Sequence, residues 1–192
     1  MGTSQCRFWD GTGRGPAPWL KASARELTGG IIGVPATGSL VFLAIPHGEV
    51  RNAILETGGA LDGKVVVDIS NTVDVSTFDR LTTEPGISAA EATQELLHGR
   101  ADVVKAFNTT FPQTLEAGSV AGQDLDVFIA GDSQAAKEKV SAAVAHAGMR
   151  PIDVGPLRRA RELEANMLVI TGLQVNPEHQ HFNWDTALRL FP

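Results

Sequence analysis

The sequence predicts an α/β chain built on a mainly parallel, doubly wound sheet, and three observations carry that expectation. Ser39–Pro46 has no polar alternation from Leu40 onward, and Lys64–Ile69 is a second run of the same type. Short continuous apolar runs of this kind suit strands covered on both faces. They alternate with segments of helical character, of which Gln134–Ala147 is the clearest. Between them lie turn-rich loops, for which 20 glycines and 10 prolines supply the material. Such alternation implies βαβ units whose right-handed crossovers place helices on both faces of one sheet.

The elements follow in order. Cys6–Trp9 is a short strand and Asp10–Pro16 a Gly-rich loop. Ala17–Leu27 reads as a helix stopped by Gly29-Gly30, and Ile31–Val34 as another short strand. The strand in Ser39–Pro46 leads to a short helix over Val50–Leu55. After the strand in Lys64–Ile69, Gly86–Gly99 carries a helix, since Ser88-Ala-Ala-Glu91 fits a capping box. Ala101–Phe107 is a strand, Phe111–Ala117 a turn or two of helix, and Leu125–Ala130 a strand. Asp132 or Ser133 starts the Gln134–Ala147 helix. Pro151–Val154 is the last strand, Leu157–Leu173 a helix, and Asn183–Leu190 a final short one.

Composition narrows the function. A formal charge of −6 argues against nucleic acid or an anionic membrane as the main partner. Cys6 is the sole cysteine, which excludes an intrachain disulfide and fits a cytoplasmic protein. Met1–Trp19 lacks the apolar segment of a signal peptide, and the run to Pro46 is far too short to span a membrane. Small molecules are the expected partners.

In a parallel sheet, ligands bind in the crevice beyond the carboxyl ends of the strands. The loops to inspect are therefore Pro46-His47-Gly48, Ser70-Asn71-Thr72, Asn108-Thr109-Thr110 and Gly131-Asp132. Gly11-Thr12-Gly13-Arg14-Gly15 has the wrong spacing for the dinucleotide fingerprint. Placed instead at the end of a second strand, Thr12 and Arg14 have the chemistry to hold an adenosine 2′-phosphate; otherwise the segment is a flexible surface loop. Pro46 stops strand pairing and lets a loop pass under a ribose. His47 suits a proton donor, a ribose contact or a solvated loop residue. Asn71 suits a carboxamide or ribose ligand, or an Asx turn. Lys105, inside an apolar strand, must snorkel or pair. Asn108 and Thr109 then lie in the crevice or cap the next helix. The mixed run from Arg158 to Glu164 reads as a solvated helix face. His179-x-His181 has only Glu178 and Asp185 near ligand spacing, so no metal is assigned.

Taken together, Leu43-Ala-Ile-Pro-His-Gly, Val65-Val-Val-Asp-Ile-Ser-Asn, Val104-Lys-Ala-Phe-Asn-Thr, Val127-Phe-Ile-Ala-Gly-Asp and Asp153-Val-Gly-Pro-Leu resemble the NADP oxidoreductases that depend on the deazaflavin coenzyme F420. The resemblance runs from about Phe8 to about Leu190. It implies one Rossmann-like domain over residues 1–192, with 174–192 as a short helical C-terminal cover reaching past Trp184. It implies hydride transfer between NADP(H) and F420. By resemblance, Thr12 and Arg14 take the 2′-phosphate, Pro46 and His47 lie under the nicotinamide ribose, and Asn71 and Asn108 face the nicotinamide. No catalytic acid, base or nucleophile is implied.

The family's opening strand and glycine turn are missing from this sequence, so the fold reads as N-terminally truncated. In the usual strand order 3-2-1-4-5-6 the first strand is central. Its loss is expected to leave two inner edges unpaired, unless Cys6–Trp9 or a second chain fills the place. Weak dinucleotide binding, low stability or homo-oligomerisation would follow. Two other functions fit the sequence: a related NADPH-dependent reductase of a flavin or ferric chelate, and a degenerate, non-catalytic protein of the same fold.

Overall fold

The computed structural model describes residues 6–9, 27–30, 36–182 and 184–191. In chain order, β1 (Cys6–Trp9), β2 (Leu27–Gly30) and β3 (Leu40–Leu43) precede helix α1 (His47–Thr57). Strand β4 (Val65–Asp68), helix α2 (Ala89–Leu97), strand β5 (Asp102–Lys105) and helix α3 (Pro112–Ala117) follow. A small hairpin, β6 (Ser119–Val120) and β7 (Gln123–Asp124), leads to β8 (Asp126–Gly131), α4 (Gln134–His146), β9 (Arg150–Gly155) and α5 (Ala160–Val175). A 3-10 turn over Leu157–Arg159 leads into α5.

Among the described residues, seven strands form one sheet in the order β2-β1-β3-β4-β5-β8-β9. The expected unpaired inner edges do not occur, because β1 pairs in parallel with β2 on one side and β3 on the other. Cys6–Trp9 stands directly against Leu40–Leu43, which closes the sheet. Leu27–Gly30, whose glycines read as a helix stop, is an edge strand instead.

The apolar runs bury both faces. Leu40, Phe42, Val65, Val67 and Val104 share one core with Ala136, Val140 and Val144 of α4. Val41, Leu43, Val66 and Val103 share the other with Val50, Ala53 and Ile54 of α1 and Ala90 and Leu97 of α2. Alternate residues of each strand thus enter opposite cores, as the period of two requires. The capping box forms as read: Ser88 Oγ accepts from Glu91 N at 3.2 Å, and Glu91 Oε2 accepts from Ser88 N at 2.9 Å.

Two further expectations are corrected. Strand β8 runs antiparallel to β5, with Val104 opposite Gly131 and Lys105 opposite Ala130. A parallel crossover must carry the chain back along the whole sheet, and α3, at six residues, is only about 9 Å long. The chain therefore enters β8 from the carboxyl edge of β5, and Gly131-Asp132 opens on the opposite edge. The segment 184–190 is not helical. Its backbone is tied to side chains elsewhere: Trp184 N donates to Gln174 Oε1 at 2.8 Å, and Leu190 N to Asp126 Oδ2 at 2.9 Å. These tertiary bonds override a weak local helix propensity. Among the described residues, no helix is long and apolar enough to cross a membrane.

Candidate functional site

The parallel register aligns Leu43, Asp68 and Lys105 across three neighbouring strands. The loops that leave these residues therefore emerge together at one edge of the sheet. Pro46 stands at the start of α1, and its carbonyl accepts from Glu49 N at 2.9 Å. His47 is the first residue of that helix and is half-buried. Its Nδ1 is buried and has no hydrogen-bond partner among the described residues.

The other two loops meet. Asn71 Nδ2 donates to the Asn108 carbonyl at 2.8 Å, and Asn108 Nδ2 donates to Asn71 Oδ1 at 3.0 Å. The two carboxamides form a reciprocal clamp across the β4 and β5 exits. Asn108 is 2% exposed, and its Oδ1 is buried without a partner among the described residues. An unpaired buried acceptor costs free energy and suits a ligand N–H or O–H. Phe107, just before it, has φ of 63°, in the left-handed region. For a residue with a Cβ this costs on the order of 1–2 kcal/mol. Its ring is held edge-on against Phe42 at 5.9 Å.

Beneath the clamp lies a charged cluster. Lys105 pairs, as a lysine in a buried strand must, with two acids. Its Nζ donates to Asp68 Oδ1 at 3.2 Å and to the Ser70 carbonyl at 2.6 Å. Glu164 Oε1 lies 2.8 Å from the same ammonium and completes the ion group. Asp68 also accepts from Ser70 N and Oγ at 2.8 and 2.7 Å and from Thr93 Oγ1 at 3.1 Å. Glu164 Oε2 accepts from Thr72 Oγ1 at 3.2 Å and Ala89 N at 3.1 Å. Burial alone would raise the Asp68 pKa. The Lys105 charge and the Ser70 hydrogen bonds outweigh it and hold the carboxyl below its ordinary value.

Over the same loops passes the segment after α5. The Trp184 ring packs edge-on against Phe111 at 5.2 Å and Phe78 at 6.3 Å. Phe78 follows β4 and Phe111 follows β5, so Trp184 bridges both exits.

Of the residues singled out in the sequence, Pro46 and His47 open one loop, and Asn71 and Asn108 touch. Thr12 and Arg14 lie outside the described residues. Asp68 and Glu164 were missed. Asp68 carried a signal: it ends one apolar strand where Lys105 ends another, and opposite charges in that position call for each other. Glu164 carried none, since it closes a mixed charged run whose other members are exposed. Arg159 and Arg161 do pair at the surface, with Glu162 and Glu91. Among the described residues, no group of three or more His, Cys, Asp or Glu could hold a metal.

No family model matches the chain. It is 31% identical over 142 residues to the F420-dependent NADP reductase of Methanocaldococcus jannaschii, covering 72% of this chain and 63% of that protein. It is 32% identical over 126 residues to the metalloreductase STEAP3 of Rattus norvegicus, covering 66% of this chain and 24% of that protein. The chain thus spans less than two thirds of either relative. Among solved structures, it is similar to an Arthrobacter sp. FB24 protein described as an F420-dependent NADP reductase. That match has a TM-score of 0.72 and 24% identity, and covers 90% of this chain and 94% of the other. A Myxococcus stipitatus imine reductase in complex with NADP+ gives a TM-score of 0.57 at 13% identity over 92% and 68% of the two chains. At these identities the structural matches establish a Rossmann-like fold. The resemblance read from the sequence strings is borne out by the archaeal relative.

Proposed function

We infer that this chain, a relative of the F420-dependent NADP reductases, is an NADP-dependent oxidoreductase that moves a hydride between NADP(H) and the deazaflavin coenzyme F420. The observation that carries the reading is the Asn71–Asn108 pair at the carboxyl edge of a parallel sheet, with the Asn108 Oδ1 buried and unpaired. Two carboxamides and an unpaired acceptor fit the amide of a nicotinamide. The choice of deazaflavin follows the archaeal relative.

In this reading Thr12 and Arg14 hold the 2′-phosphate, Pro46 and His47 flank the nicotinamide ribose, and Asn71 and Asn108 orient the nicotinamide end. Bound NADPH supplies the hydride. The chain needs no general acid or nucleophile for such a transfer; its residues orient the cofactor and keep water out. Phe78, Phe111 and Trp184 form the apolar cover that does the second task.

The test is titration with NADPH and NADH, followed by turnover with F420, a free flavin and a ferric chelate. NADPH binds tighter than NADH by about tenfold to a hundredfold, the value of one charge-assisted contact, and Arg14→Ala removes most of the difference. Asn108→Ala and His47→Ala lower turnover more than melting temperature. Equal affinities for the two nucleotides sink the assignment of Arg14. Turnover with the ferric chelate alone would favour the second reading, a ferric-chelate reductase, which the similarity to the rat metalloreductase supports.

A further inference from the structure

The cluster of Asp68, Lys105 and Glu164 is an expensive way to hold a fold together. A buried ion group is often no more stabilising than apolar side chains of the same size, because desolvation offsets the attraction. Here the side chains are 0%, 0% and 1% exposed, with two carboxylates for one ammonium. Apolar residues would fill that space at least as well. What they would lack is directed hydrogen bonds to two particular loops.

The β4–β5 ladder ends with the bond from Ala106 N to the Asp68 carbonyl at 3.2 Å. Beyond it, side chains tie the strand exits. Along the β4 exit, alternate residues turn into the cluster: Asp68 by its carboxylate, Ser70 by its hydroxyl and carbonyl, and Thr72 by its hydroxyl through Glu164. Asn71, between Ser70 and Thr72, is held on both flanks and points the other way, to Asn108. Along the β5 exit, Lys105 lies three residues before Asn108. A single ammonium therefore grips the β4 exit while its own backbone leads directly into the β5 exit. The link to α5 through Glu164 reaches Ala89 N as well, at the first turn of α2.

We propose that Lys105 is a positioning residue: with Glu164 it sets the spacing of the two strand exits and so the geometry of the Asn71–Asn108 clamp. Its importance for the reaction rests on the reading of that clamp as the nicotinamide end of the site. The clamp itself exists without cofactor and is tested directly.

The experiment uses the full chain, labelled with nitrogen-15, and follows the side-chain amide signals of Asn71 and Asn108, assigned through Asn71→Ser and Asn108→Ser. In the native chain both signals exchange slowly with solvent, because each carboxamide donates within the clamp. In Lys105→Met/Glu164→Gln, which removes a charge of each sign, the melting curve stays cooperative while both signals exchange about tenfold faster or more. NADPH affinity falls by about the same factor, the change expected when one coupling of ordinary size is lost. Unchanged exchange at both carboxamides in the folded double variant overturns the proposal. If that variant does not fold, Glu164→Gln alone serves: it keeps the shape and an acceptor for Ala89 N, and a severalfold rise in the same exchange is expected. No rise there also overturns it. Arg161→Ala, which breaks a nearby surface pair, leaves both signals as they were; an equal rise in this variant would show general loosening and defeat the proposal. If exchange responds as expected but the native chain binds no NADPH, the positioning role stands and the cofactor reading fails.

Discussion

The two halves of the sheet use charge in opposite ways. In the parallel half, β4 and β5 bury Lys105 between two carboxylates with no side chain more than 1% exposed. In the reversed half, β8 and β9 are crossed by Asp126–Arg150, and Asp153 of β9 pairs with Lys137 of α4, both with a partner open to solvent. Arg150 grips Asp126 through two bonds of 2.7 and 2.6 Å, and also donates to the Leu190 carbonyl. The outer pairs fasten a tail and a helix to the sheet, in positions where water screens them. The inner cluster faces no water and touches the loops that carry Asn71 and Asn108. Where a charge is placed relative to solvent thus separates fastening from positioning.

The sharpest way to break this contrast is to remove the inner cation alone. Lys105→Met leaves Asp68 and Glu164 as buried carboxylates without a counter-ion, and it destabilises by about 3–5 kcal/mol in denaturant unfolding. A loss no greater than that of a surface pair would show that water reaches the cluster. The junction of the halves comes next. A Cβ at Gly131 would meet Lys137 Cγ at 3.1 Å, Val104 Cγ2 at 3.2 Å and the Val103 carbonyl at 3.4 Å. Gly131→Ala therefore destabilises by about 1–3 kcal/mol, measured the same way.

Arg150→Ala has a smaller effect with a distinct pH signature. The hydrogen bonds from Arg150 are the main reason the Asp126 carboxyl sits below its ordinary value. A depressed folded-state pKa contributes stability that is present above the unfolded value and lost as pH falls through the folded one. The difference between native and variant melting temperatures is thus full at neutral pH and closes in strong acid, once Asp126 is protonated in both. A difference that widened in acid would refute the pairing. Smallest of all is Arg161→Ala, which breaks an exposed pair with Glu91. The shift in melting temperature is slight and shrinks further with added salt, as for most solvated pairs.

Much of the site was legible in the sequence because its parts are local. Pro46 and His47 follow an apolar run, Asn71 and Asn108 follow two others, and a parallel sheet brings such exits to one edge. Lys105 announced that it must pair, though not with what. The direction of β8 was not legible. Its apolar run is compatible with either direction, and the decision lies in a connection too short to cross the sheet. Asn183–Leu190 was misread because a helix and a tethered strap differ there only in remote partners, Gln174 and Asp126.

The sequence by itself determined most of the strands and helices between Leu40 and Val175, the two-faced burial and the four loop residues of the candidate site within the described part of the chain, since periodicity and turn chemistry act over a few residues. Only the tertiary structure decided that Asn71 and Asn108 clamp each other, that Glu164 joins Lys105 and Asp68 from 59 and 96 positions away, and that β1 closes the sheet against β3. Each of those is a choice among partners distant in the chain, and such choices are made by packing and hydrogen-bond satisfaction in the folded interior, where an unpaired group has no water to turn to.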